Sequence, residues 1–180
     1  MNEKMEARYI KKGQYVVYGT NGVCHIDDVC EMAFPTGQNK RLYLHLHPIA
    51  DNASVIYLPF DNETLLCRLR PALTREEAEA LLASADMHQA EEWIDDRKCR
   101  ASAFRQILQD SLPLALLGLI RCICQRRDAL ESQNKRLANA DREVLMSALH
   151  AVTEEFSFAL SLPRDEVTER VANALSARLP

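Results

Sequence analysis

The chain has 180 residues, of which 47% are hydrophobic, and a formal net charge of −4 at neutral pH. That content supports one substantial core or two small ones and excludes a disordered chain. The acidic balance excludes a general nucleic-acid coat, which neutralises phosphates with a broad surplus of Lys and Arg, so any contact with DNA must be local.

The N-terminal residues hold no apolar stretch of signal-peptide length. The longest apolar run, Leu112 to Ile120, is interrupted by Pro113 and Gly118 and falls well short of the roughly 20 residues of a membrane helix. A soluble cytoplasmic protein without a membrane partner is expected. The cysteines Cys24, Cys30, Cys67, Cys99, Cys122 and Cys124 form no CxxC pair and no regular framework, so they read as reduced thiols packed like small core hydrophobes.

From Gln14 to Leu69 the apolar pattern has period two, which predicts half-buried strands. Gln14–Tyr18 is the first strand, Gly19-Thr20-Asn21-Gly22 supplies an Asn-Gly turn, and Val23–Ala33 returns. The alternation slips near Asp27-Asp28, which predicts a bulge bending a small, barrel-like sheet. After the loop Pro35–Asn39, the strand Arg41–His47 puts Leu42, Leu44 and Leu46 on one face and Tyr43, His45 and His47 on the other. Ser54–Leu58 pairs back.

From Leu73 onward the spacing changes to three and four, which predicts helices. Thr74 with Glu77 forms a capping box ahead of Leu81 and Leu82. Further helices are expected over Ala90–Gln109, Leu112–Glu131, Asp141–Leu160 and Pro163–Arg178. The third of these five is apolar on nearly every side until Arg126 and should sit at the centre of a bundle. Asn139 or Asp141 can cap the fourth, and Pro163 suits the first turn of the last.

Charge separates within the helical half. Between Trp93 and Arg136 stand nine basic residues, Arg97, Lys98, Arg100, Arg105, Arg121, Arg126, Arg127, Lys135 and Arg136, against the five acids Asp95, Asp96, Asp110, Asp128 and Glu131, a segment of +4 in an acidic chain. Such a patch can hold a few phosphates. Trp93, the one tryptophan, falls at i, i+4, i+7 spacing with Arg97 and Arg100 if the helix begins at Ala90. An exposed Trp there could wedge beside an unstacked base while the arginines grip the backbone. Phe104 and Leu108 continue the same face toward the core, so on the residues alone Trp93 reads better as the top core residue, and only the family resemblance stated below puts the wedge ahead. Asp95 and Asp96 would repel phosphate unless they neutralise the arginines or cap a helix start.

Other constellations carry less. His45 and His47, with His25 or Cys24 nearby, lack a second paired ligand at zinc-finger or zinc-ribbon spacing. Cys122 and Cys124 face different sides of a helix. Glu154 and Glu155 read as a helix surface or as ion-pair partners of Arg127 or Arg142. No nucleophile with a base, carboxylate pair or phosphate loop stands out, so neither an enzyme nor a cofactor or metal is expected.

The segments Gly13-Gln14-Tyr15-Val16-Val17-Tyr18, Gly22-Val23, Ile26–Val29, Leu58-Pro59-Phe60-Asp61-Asn62 and Leu69-Arg70 resemble the small Tudor-like sheet of the CarD, CdnL and transcription-repair coupling factor family. Trp93-Ile94-Asp95-Asp96 with Arg97 and Arg100, Leu119-Ile120-Arg121 running into Arg126-Arg127, and Asp141 with Glu154-Glu155-Phe156 resemble the helical half of its CarD members. Each motif is short; their order and spacing across two domains carry the resemblance. It implies an α+β protein, with a Tudor-like or SH3-like β-barrel over residues 1–72 and an all-α helical bundle over residues 73–180.

The resemblance further implies that the β domain binds the RNA polymerase β subunit and that the helical domain meets promoter DNA at the upstream edge of the bubble, modulating open-complex stability from a cytoplasmic, nucleoid-associated polymerase. Sheet edges and interface-type side chains point to Glu31, Met32, Phe34, Tyr43 and Tyr57 for the polymerase contact. Where family members often carry basic residues, Met32 and Tyr57 stand nearest, so that contact should be less ionic. Trp93, Arg97, Lys98, Arg100, Arg121, Arg126 and Arg127 are the candidates for DNA, with affinity sufficient only when polymerase is bound. The alternative is a polymerase-docking module without significant DNA binding.

Overall fold

In the computed structural model, which describes residues 10–33, 40–51, 53–85 and 92–180, β1 (Tyr15–Tyr18) and β2 (Val23–Met32) form the first hairpin. A single 3₁₀ turn, Gly19–Asn21, joins them. The positive φ that the tight reversal needs falls on Gly19 (48°) and Gly22 (68°). Gly22 also has ψ −151°, a combination open essentially to glycine alone.

Three further strands complete an antiparallel sheet: β3 (Arg41–Pro48), β4 (Ile56–Pro59) and β5 (Leu69–Pro71), in the order β4-β3-β2-β1-β5. The short helix α1 (Glu63–Leu66) lies between the last two, its first turn capped by Asn62, whose side-chain oxygen accepts from Leu65 N–H at 3.2 Å. The β2–β3 register shifts between Ile26 and Asp28, where the broken alternation predicted a bulge. The expected barrel is not closed. The end strands β4 and β5 have four and three residues and pair only with β3 and β1, too short a reach to complete a ladder around a barrel.

One face of the sheet carries the core of this unit, Val16, Cys24, Ile26, Leu44, Leu46, Leu58 and Leu69, with Leu66 of α1 packed against them. Each fully buried aliphatic side chain contributes about 1.5–3 kcal/mol. That core fixes register, since a one-residue slip would turn Leu44 and Leu46 to the other face.

The chain divides into two compact units between Ala72 and Leu73. The second consists of α2 (Arg75–Ser84), α3 (Arg97–Asp110), α4 (Pro113–Glu131), α5 (Asn139–Leu160) and α6 (Arg164–Ala174). The Thr74–Glu77 capping box forms at α2 in both directions. In α4, residues Leu116, Leu117 and Leu119 to Cys124 are all buried, in keeping with its all-round apolar sequence. Around it pack Phe104, Leu145, Ala148, Val152, Phe156, Val167 and Val171.

Several helix ends differ from expectation. Helix α3 starts at Arg97, not Ala90, because the Asp96 carboxylate caps it by accepting from Cys99 N–H at 2.8 Å. Neither Asn139 nor Asp141 caps α5; Ala138 holds the cap position without a side-chain bond. Pro163 sits just ahead of α6, which ends at Ala174 and not at Arg178. Among the described residues no helix is long and apolar enough to cross a membrane.

Candidate functional site: an open sheet edge and a tryptophan held by arginines

The sheet's second face follows from the register. His25 lies opposite His47, Asp28 opposite His45, Cys30 opposite Tyr43, and Met32 opposite Arg41 on β2 and β3, while His45 and Tyr43 face Tyr57 and Pro59 on the edge strand β4. Tyr57 is exposed, and its ring stacks on His45 with centroids 5.0 Å apart and planes inclined by 14°. Tyr43 is half-buried one pair further along. The geometry thus brings Tyr43, Tyr57 and the half-buried Met32 to one face. Glu31, opposite Leu42, belongs to the other face and is exposed at the strand end. Phe34 lies outside the described residues.

A feature that sequence reading missed sits at the bulge. The extra residue lets both Asp27 and Asp28 point to the outer face. Asp28 pairs with Lys12 at 3.4 Å. The Asp27 carboxylate accepts from His25 Nδ1–H at 2.6 Å and lies 3.9 Å from His45 Nε2. The His25 hydrogen bond is the main reason the Asp27 carboxyl is held below the usual carboxylate range. His45 Nε2 is buried and without a hydrogen-bond partner among the described residues. The predicted bulge and the outward histidines were the available signal; their meeting at one carboxylate was not legible. Among the described residues no group of three or more His, Cys, Asp or Glu could hold a metal ion.

In the helical unit, Trp93 lies outside α3, in the segment before the Asp96 cap, so the helical face expected for Trp93, Arg97 and Arg100 does not exist. Trp93 and Arg100 meet nonetheless. The segment folds back so that Arg100 Nη1 donates to the carbonyls of Ile94 (2.8 Å) and Asp95 (3.1 Å). Arg100 Cζ then stands 4.4 Å from the centre of the Trp93 ring. The half-buried Trp93 packs on the core and meets Phe104 edge to face, centroids 6.1 Å apart. Arg126 of α4 reaches the same ring, with Cζ 5.1 Å from its centre.

The predicted cations divide into two groups. Arg97 and Lys98 are exposed in the first turn of α3. Arg126 is half-buried against Trp93. The others are engaged within the protein: Arg100 is 8% exposed and forks onto Asp141, Arg121 is 7% exposed on α4, and Arg127 donates to Asp128 Oδ1 and to the Arg178 carbonyl. Asp96 is occupied as a cap, and its carboxyl is held low chiefly by the Cys99 backbone N–H.

Glu154 and Glu155 are buried, not surface residues. Glu154 pairs with Arg164 at 2.5 Å instead of Arg127 or Arg142. Glu155 accepts from Leu73 N–H at 3.2 Å.

Among the described residues β4 ends the sheet and carries the exposed Tyr57, the kind of edge on which a further strand can pair. Residues 10–72 match the family model for the CarD-like/TRCF RID domain. The β unit is thus similar to that domain family, as its hairpin and Leu58–Asn62 motifs suggested, and the chain is consistent with a CarD/CdnL-like protein. The match ends at residue 72 and does not extend into the helical unit. A search of curated proteins returned no match to the chain.

Proposed function

We propose that the chain is a CarD-like transcription regulator that docks on the RNA polymerase β subunit through its β unit and touches promoter DNA at the upstream edge of the bubble through its helical unit, altering open-complex lifetime. The match of residues 10–72 to a polymerase-interacting domain family carries this reading. The edge strand β4, last in the sheet order and carrying the exposed Tyr57, supports docking by continuation of the backbone ladder. Met32 and Tyr43 extend the contact on the same face, Glu31 stands exposed at the strand end, and Phe34 is kept as a candidate from the sequence.

For DNA, Trp93 with Arg97, Lys98 and Arg126 is the working set, and Arg100, Arg121 and Arg127 support it from within the fold. Three accessible cations in an acidic protein bind DNA weakly, so docking on polymerase supplies the effective concentration. Capture of the full chain by polymerase tests the first half. Open-complex lifetime with Trp93→Ala tests the second, which fails if the lifetime is unchanged while the fold and capture survive.

A second reading, a docking module without significant DNA binding, is favoured by the internal engagement of Arg100 and Arg127. The same Trp93→Ala measurement separates the two.

A further inference from the structure

We infer that Arg100 and Asp141 are positioning residues for Trp93: a buried clamp that holds the segment before α3, and with it the indole, in the orientation from which DNA would be met. The inference rests on the DNA half of the function proposed above.

The segment 92–95 belongs to no helix or strand, so its own backbone bonding does not fix it. Two of its carbonyls, Ile94 and Asp95, are instead held by Arg100 Nη1. The other nitrogens of the guanidinium, Nε and Nη2, donate to Asp141 Oδ1 at 3.1 Å and Oδ2 at 3.2 Å. This bidentate fork fixes the guanidinium plane as well as its position. Both side chains are about nine-tenths buried, at 9% and 10% exposure, so water does not compete effectively for the donors.

One guanidinium thus joins three elements of structure: α3, which carries it, α5 through the Asp141 carboxylate, and the 92–95 segment through two backbone carbonyls and the Trp93 ring 4.4 Å away. Asp141 touches none of the proposed DNA-contacting side chains in this arrangement; it acts through Arg100. Neutralising Asp141 leaves a buried cation without its counter-charge. The guanidinium is then driven toward water, and it leaves the Ile94 and Asp95 carbonyls and the indole as it goes.

Trp93 is the protein's one tryptophan, so its fluorescence reports the clamp directly. The test compares Asp141→Asn, Arg100→Lys and Trp93→Ala in the full chain, reading acrylamide quenching of tryptophan fluorescence in the first two, and polymerase capture and open-complex lifetime in all three. The expected result is increased quenching in both clamp variants, undiminished capture, and loss of most of the lifetime effect that Trp93→Ala removes. Adding Trp93→Ala to Asp141→Asn should cost little more.

Unchanged quenching and lifetime, or losses that simply add, would overturn the inference. If Trp93→Ala itself leaves the lifetime untouched, the DNA reading fails, and quenching alone decides whether the clamp positions the indole. Should Asp141→Asn lose its helical signal, Arg100→Lys, which keeps the cation and removes the fork, carries the same comparison.

Discussion

Arg126 brings its guanidinium carbon to 5.1 Å from the centre of the Trp93 ring, and its Nε is buried without a hydrogen-bond partner among the described residues. A cation held over an indole and short of acceptors is suited to an incoming phosphate or base edge. Arg126→Ala should therefore shorten the open-complex lifetime with polymerase capture intact, while thermal stability falls by only about 0.5–1 kcal/mol, the usual worth of a partly exposed cation–π contact. A large fall in melting temperature with no change in lifetime would make Arg126 a packing residue.

Arg97 and Lys98 are exposed in the first turn of α3 and are expected to meet phosphates. Replacing both with Ala should weaken DNA engagement by the polymerase-bound chain similarly across promoter sequences, and reduce the log–log salt slope by about one for each phosphate no longer neutralised. Titrating salt against open-complex lifetime reads that slope directly.

Phe104 is 2% exposed and meets Trp93 edge-on. Phe104→Ala should destabilise the helical unit by about 3–5 kcal/mol, through the transfer energy of the removed ring and the cavity left behind. A red-shifted tryptophan emission should accompany the destabilisation. Chemical denaturation followed by circular dichroism and fluorescence checks both.

Acid should act on the β unit through Asp27. Its carboxyl is held below the ordinary value of 3.8 in the folded state, first by the His25 hydrogen bond. A depressed folded-state value means that the unfolded chain takes up the proton first. The stabilisation is therefore complete above about pH 4 and is lost as pH falls through the lowered folded value. Asp27→Asn should flatten that part of the acid-unfolding curve, while an unchanged curve would place the acid sensitivity elsewhere.

Much of the architecture was legible because the two periods differ so plainly: alternation around Leu42, Leu44 and Leu46 gave β3, and the slip at Asp27-Asp28 gave the bulge. Strand β5 has only three residues ending at Pro71, too few for a period to register. The start of α3 was misplaced because Trp93 and Ile94 extend the apolar spacing upstream, whereas the Asp96 cap decides where the helix begins. The buried charges were the least legible part of the candidate site. Arg100 and Asp141 are 41 positions apart, and an Arg at helical spacing reads as surface until its distant carboxylate is known.

The proposed docking on polymerase is probed most sharply at Tyr57, 41% exposed on the edge strand and stacked on His45. The decisive measurement is binding of the full chain to RNA polymerase and to an isolated β-subunit fragment, each beside Tyr57→Ala. Binding to both targets is predicted, with affinity falling about tenfold or more for the variant, as for an interface anchor, and with its melting temperature nearly unchanged. Failure of the unsubstituted chain to bind polymerase or the β fragment would contradict docking through the β unit.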